Sequence, residues 1–116
     1  MRNMSFMLTT QQILDRSKTV TRRLGWKFLK PGELLQACEK CQGLKPGEQL
    51  RKLAVIEVVS IRTEPLNAIR DDDVAREGFP DQHWHQFVDM FCEAMACRPT
   101  DPVQRIEFKY VDEVAP

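Results

Sequence analysis

Lys18-Thr19-Val20-Thr21-Arg22-Arg23 packs an amine, two hydroxyls and two guanidiniums into six residues. Three cations in so short a stretch repel one another, so the stretch belongs in water or against an anionic or electron-rich ligand, and not in a core. Neighbouring positive charge also disfavours the charged form of a lysine. A neutral Lys18 amine can take a proton from a hydroxyl, and Thr21 offers one. Nucleophile, base and oxyanion donors are what amide hydrolysis requires. The plainer reading is a solvated basic edge, with threonines that favour strand. In a fully extended strand residues 18 and 21 face opposite ways, so a shared task requires a bend between them.

Other chemistry-bearing residues carry less. Trp26 follows the cations closely and can stack on a base, although tryptophan more often packs a core or its rim. Cys38 and Cys41 form a C-x-x-C, but Cys92 and Cys97 are five apart and no histidine completes a zinc set, so free thiols in a reducing compartment are expected. His83 and His85, two apart on a helix, point to different faces and make a poor metal pair. Helix capping explains the run Asp71-Asp72-Asp73 more simply than magnesium does. No metal and no cofactor is expected.

Several elements must position these groups. Thr9 is expected to cap a short helix with Gln12 as its capping-box partner, Ile13 and Leu14 as buried anchor, and an end near Ser17. Leu-Lys-Pro-Gly-Glu occurs at 29–33 and again at 44–48 with unrelated flanks, which reads as two type II turns rather than a duplication. A strand is expected from Leu34 to Glu39. From Arg51 to Arg62, Leu53, Val55, Val59 and Ile61 alternate with Ala54, Ile56 and Val58; two apolar faces describe a central strand covered on both sides. Pro65 stops it. A polar helix over Asp72–Glu77 follows, capped by Asp71 or Asp72 and ended by Gly78, which leaves Glu77 at an exposed helix end.

Trp84, Phe87, Val88, Phe91, Cys92 and Met95 recur at helical spacing, a stripe for core packing that Asp81 is expected to cap and Arg98-Pro99 to end. Ile106, Phe108 and Tyr110 alternate with Glu107 and Lys109 as a last strand. The sum is an α+β arrangement with helices inserted in the long connections between strands.

The 116 residues suit one domain spanning 1–116, and 42% hydrophobic content suffices for its core. Basic and acidic residues number 17 each, so whole-molecule attraction to nucleic acid is absent and any anion binding must be local. No apolar run approaches a membrane span, and the first ten residues lack the pattern of a secretory signal, so a cytoplasmic protein is expected.

With these features in view, the chain resembles the ASCH family. The resemblance rests on Lys18-Thr19-Val20-Thr21-Arg22-Arg23, the Lys-Pro-Gly turn before the Leu34 strand, Ala75-Arg76-Glu77-Gly78-Phe79, and Arg105-Ile106-Glu107-Phe108. It implies a small β-barrel similar to the PUA domain of RNA-modifying enzymes, binding RNA or a nucleotide in a cleft beside the barrel. One branch of that family hydrolyses N4-acetylcytidine to cytidine and acetate. Its catalytic lysine, threonine and glutamate fall on Lys18, Thr21 and Glu77; the neighbouring Thr19, Arg22, Arg23 and Trp26 are expected, from their own chemistry, to bind the substrate. The resemblance thus implies a metal-independent amidohydrolase for a cytidine-like nucleoside. The rivals are a module that binds single-stranded RNA or a nucleotide without turnover, and a metal-independent ribonuclease. Neutral net charge favours a small ligand over a long polyanion.

Overall fold

The computed structural model describes residues 1–112. Five strands, β1 (Arg2–Ser5), β2 (Val20–Arg23), β3 (Leu34–Cys38), β4 (Lys52–Pro65) and β5 (Pro102–Val111), form one sheet in the order β1-β3-β4-β5-β2. Only the β1–β3 pair is parallel. Helix α1 (Thr10–Leu14) joins β1 to β2, while α2 (Asp71–Arg76) and α3 (Trp84–Met95) fill the connection from β4 to β5. This is a small α+β fold, a mixed sheet curved as a half-barrel with short helices between its strands.

The central position expected for the 51–62 segment is confirmed, since β4 pairs with β3 on one side and β5 on the other. Its face pattern is different. Register slips between Val58 and Ser60, so Val59 is an extra residue opposite β5 and stands 43% exposed. Such a bulge exchanges the two faces beyond it, and Ile61 therefore joins Ile56 and Val58 against the same core, contrary to strict alternation.

Both proline-glycine turns form as expected. Glu33 N donates to Lys30 O and Glu48 N to Lys45 O, with Gly32 and Gly47 at the positive φ of a type II turn.

The apolar residues separate into two clusters. Met4, Phe6, Leu35, Ile56, Val58 and Phe108 belong to one, packed on the sheet. Leu66, Val74, Phe87, Val88, Phe91 and Val103 belong to the other, beneath α2 and α3. Each fully buried side chain of this size contributes about 1.5–3 kcal/mol. The α3 stripe thus supplies core as expected, although Trp84 and Met95 at its ends remain partly exposed.

The helix ends depart from expectation. Thr9 makes no side-chain cap, Leu14 is exposed, and α1 stops at Leu14 rather than near Ser17; Gln12 spends its amide on Gly78 O at 3.2 Å instead of closing a capping box. Neither Asp71 nor Asp72 caps α2, whose N-cap is Arg70. Asp71 instead accepts from Trp84 N at 2.8 Å at the start of α3, where His83 rather than Asp81 is the N-cap and Gln86 completes a capping box. Because His83 lies outside the helix, it escapes helical periodicity, and its ring stacks on that of His85 rather than facing away. Helix α3 ends before Arg98, with Ala96 in the left-handed region. Among the described residues no helix is long and apolar enough to cross a membrane.

Candidate active site

Strand β2 is short and lies at the sheet edge, paired only with β5. Lys18 precedes it, so strand alternation does not govern where its side chain goes. Its backbone is held by its N–H donating to Gln12 O at 3.2 Å and by its carbonyl accepting from the Tyr110 hydroxyl at 2.6 Å. Burial pushes the Tyr110 phenol up to about 12, which keeps it a donor.

The next residue docks onto the end of α2, where Thr19 N donates to Arg76 O at 2.8 Å. That end is a tight C-terminal motif. Gly78 N bonds to Ala75 O and Phe79 N to Val74 O, with Gly78 at φ +105°. Glu77, just before the glycine, turns inward. It is 2% exposed, which corrects the expectation of an exposed helix end. The helix is capped by the 18–19 segment, and that contact shuts water away from the carboxylate.

Lys18 Nζ donates to Glu77 Oε1 at 2.7 Å and to Glu77 O at 2.8 Å. The ammonium thus pairs with a carboxylate and also completes the carbonyl end of α2, where a cation is favoured. Burial pushes the Lys18 amine below the ordinary lysine range; Glu77 opposes that shift, and Arg23 and Arg22 reinforce it.

Arg22 is equally buried. It donates to Glu77 Oε2 at 3.0 Å and to Asp73 Oδ2 at 2.6 Å, with Glu64 Oε2 at 3.6 Å. Its Nε is buried and finds no acceptor among the described residues. On β5, Arg105 lies directly across from Arg22. Like charges in that position repel, and Asp73 lies between them, accepting from Arg105 at 2.8 and 2.9 Å. Burial alone raises the Asp73 carboxyl, but the hydrogen bonds from Arg105 and Arg22 outweigh it and hold the group well below the usual carboxylate range.

Thr21 and Arg23 share the other face of β2, and Arg23 Nε donates to Thr21 Oγ1 at 3.1 Å. The Arg23 guanidinium also stacks over Phe6, 4.6 Å from the ring centre. Burial draws it down to about 10, so it remains charged at neutral pH.

Lys18, Thr21, Arg22, Arg23 and Glu77 line one cavity of about 290 Å³, at the lower end of the range of small-molecule pockets. Phe6, Met7 and Leu8 wall one side; Phe79, Phe87 and Phe91 wall the other, with Met90, Ala94 and Met95 along α3. The cavity therefore opens between the two apolar clusters, polar at its base and apolar on its walls. Thr19 and Trp26 do not line it. The Thr19 backbone is spent on pairing, and Trp26 packs against the sheet core and Phe28, 5.5 Å between rings.

Solved structures carry the same arrangement of strands and helices. Protein EF3133 from Enterococcus faecalis V583, described under the family model DUF984, matches with a TM-score of 0.66 and 18% identity over 90% of this chain and 68% of its own. An ASCH domain from Lactobacillus crispatus JV V101 matches with a TM-score of 0.63 and 18% identity over 94% of this chain and 78% of its own. The fold is that of an ASCH domain. A third structure, hypothetical protein PH0355, covers 95% of this chain and 96% of its own at a TM-score of 0.57 and 16% identity. No family model and no curated protein matches this sequence.

Two parts of the polar base of this ASCH fold were not visible as site residues in the sequence. Asp73 read as part of a helix-capping run, and Arg105 only as the first residue of the Arg105-Ile106-Glu107-Phe108 motif. The available signal was spacing: Asp73 lies four residues before Glu77, hence on the same helical face. The four cysteines are free, and burial together with Cys41 pushes the Cys38 thiol up to about 11. Among the described residues no three metal-ligating side chains gather.

Proposed function

We propose that the protein is an amidohydrolase that removes the acyl group from N4-acetylcytidine-like nucleosides without a metal. The observation that carries this reading is the buried Lys18–Glu77 pair sharing an apolar-walled cavity with Thr21. In such surroundings a proton passing from Lys18 to Glu77 removes two charges from a poorly solvated site. The neutral amine takes the Thr21 proton as Oγ1 adds to the acyl carbon. Arg23, already donating to Oγ1, stabilises the negative charge as it moves onto the carbonyl oxygen. The C–N4 bond then breaks, Glu77 gives its proton to N4, and cytidine leaves an acyl ester on Thr21. A water molecule gives a proton to the Glu77 carboxylate and attacks the ester. Cleavage of the C–Oγ1 bond returns the Lys18 proton to Thr21 and releases the carboxylic acid.

A second reading rests on a specific observation. Lys18, Glu77 and Arg22 already satisfy one another, which suits a static module that holds a nucleotide or single-stranded RNA without turnover. The test is incubation of the purified protein with N4-acetylcytidine and a chelator. Release of cytidine and acetate, lost in Thr21→Ala while cytidine binding persists, supports the hydrolase. Cytidine binding with no hydrolysis of any N4-acylcytidine between about pH 6 and 10 favours the module.

A further inference from the structure

Five buried groups alternate in sign along one line: Arg105, Asp73, Arg22, Glu77 and Lys18. Only the last two figure in the proposed proton transfers. A bare pair of buried arginines facing each other across β2 and β5 would be repulsive, and a simple structural remedy would be to lose one of them. The chain instead keeps both, with a carboxylate locked between.

We infer that Asp73 and Arg105 are positioning residues for Lys18, acting through Arg22 to fix Glu77 against the amine and to set the charge around it. The geometry supports this at each link. Both Asp73 oxygens are held by Arg105, so the carboxylate cannot rotate freely. Its Oδ2 holds one Arg22 nitrogen, which aims the other at Glu77 Oε2. Glu77 is left with Oε1 for Lys18. The sites deepen the proposed hydrolase reading, but the inference concerns the titration of Lys18 and does not need turnover to be read.

The charged groups facing this line are few. Arg76 reaches Asp73 Oδ1 at 3.2 Å from the outer side of α2, and Glu64 of β4 stands near Arg22. Glu107 acts on Arg105 from the same strand. Around Lys18 itself are Glu77 at the end of α2, Arg22 and Arg23 from β2, and the Tyr110 hydroxyl of β5 on its carbonyl. None of these provides a second carboxylate for Lys18, so the balance there depends on how Arg22 is neutralised.

The experiment follows the Lys18 side-chain Cε resonance by 13C NMR against pH in the full chain, with Lys18→Met assigning the signal. Asp73→Asn leaves Arg22 less neutralised, and the Lys18 midpoint moves down by about half to one unit, less than the 1–3 units of a direct partner. Arg105→Gln removes a cation and moves it up. A merely loosened structure moves both variants the same way. Opposite shifts support the inference; shifts of the same sign, or none, overturn it. If Asp73→Asn fails to fold, Arg105→Gln alone decides, an upward shift supporting the inference and an unmoved midpoint ending it. Should the wild type hydrolyse no acylcytidine, the hydrolase reading falls while this titration still stands or fails by itself.

Discussion

Lys18 and Glu77 lie 59 residues apart in the chain and meet at 2.7 Å, both almost wholly buried. The contact is made by docking one helix end onto the segment before an edge strand. Taking two charges out of water costs several kcal/mol per ion unless geometry and further hydrogen bonds repay it. Here the second Glu77 oxygen goes to Arg22 and the second Lys18 proton to a helix carbonyl. Replacing such a cluster by apolar residues is often neutral or stabilising, so its presence is weak evidence for stability.

The pH dependence of turnover should report Lys18. The reacting state of the proposed mechanism holds one proton between Lys18 and Glu77, and burial holds the Lys18 value below that of a free lysine, near 10.4, so the rate falls as rising pH strips that proton from the pair, with a midpoint below the ordinary lysine range. Glu77→Gln removes the charge that favours the ammonium, which moves the midpoint lower still, and it removes the proton donor for N4. A fall in kcat of about 100-fold or more is expected. Full activity in Glu77→Gln, or an upward shift of the limb, would take the glutamate out of the mechanism.

Acid stability should track Asp73. Its folded-state value lies below the unfolded one, about 3.9, so its contribution is fully present above that pH and is lost as the pH falls through the folded value. Urea unfolding should therefore show wild-type stability declining below about pH 4, with Asp73→Asn declining less steeply. At neutral pH, Asp73→Ala strands the Arg105 guanidinium and takes from Arg22 one of its two hydrogen-bonded carboxylates, and should cost about 3–5 kcal/mol. Equal slopes for wild type and Asp73→Asn would mean that the arginines do not perturb this carboxyl.

Three of the five strands were legible because each announces itself locally: alternation exposed β5, the two-sided apolar run marked β4, and the segment after the Lys-Pro-Gly turn marked β3. The four-residue strands β1 and β2 carry too short a pattern to read. Three cations in six residues read as a stretch for water or a ligand, whereas the carboxylates of Glu77 and Asp73 let the fold bury Lys18 and Arg22. What escaped was set by distant partners. Val59 bulges because of its register against β5, which no property of residues 51 to 62 encodes. Glu77 looked exposed because α2 is short and polar, and only the docking of Thr19 onto Arg76 O buries its end. Asp73 seemed one of three interchangeable aspartates until Arg105 arrived from the last strand.

Gly78 is where backbone conformation and the site meet. At φ +105° a side chain is strained, and a Cβ there would stand 2.8 Å from Gln12 Cγ. Gly78→Ala should destabilise the protein by about 1–3 kcal/mol in chemical denaturation. Because the shift begins at the residue after Glu77, kcat should fall with it while cytidine affinity changes less. Unchanged stability would show that the C-terminal motif of α2 tolerates another conformation.

Ala94 offers a test of where the ligand sits. It lines the cavity from α3 yet is exposed, so a larger side chain can be placed there without disturbing either core. Ala94→Trp costs about 0.5 kcal/mol in helix propensity and leaves every charged group of the base in place. A nucleoside that must pass between the apolar walls then meets an indole ring. KM should rise about 10-fold or more, equivalent to roughly 1.4 kcal/mol of lost binding, with the Lys18-dependent limb of the pH profile unmoved. Single-stranded RNA lying across the outer surface would ignore the change, and its affinity would instead fall with salt by a slope of about 0.7 per neutralised phosphate. Unaltered cytidine binding in Ala94→Trp, together with steeply salt-dependent RNA binding, would move the ligand out of the cavity and leave the protein a surface binder of RNA.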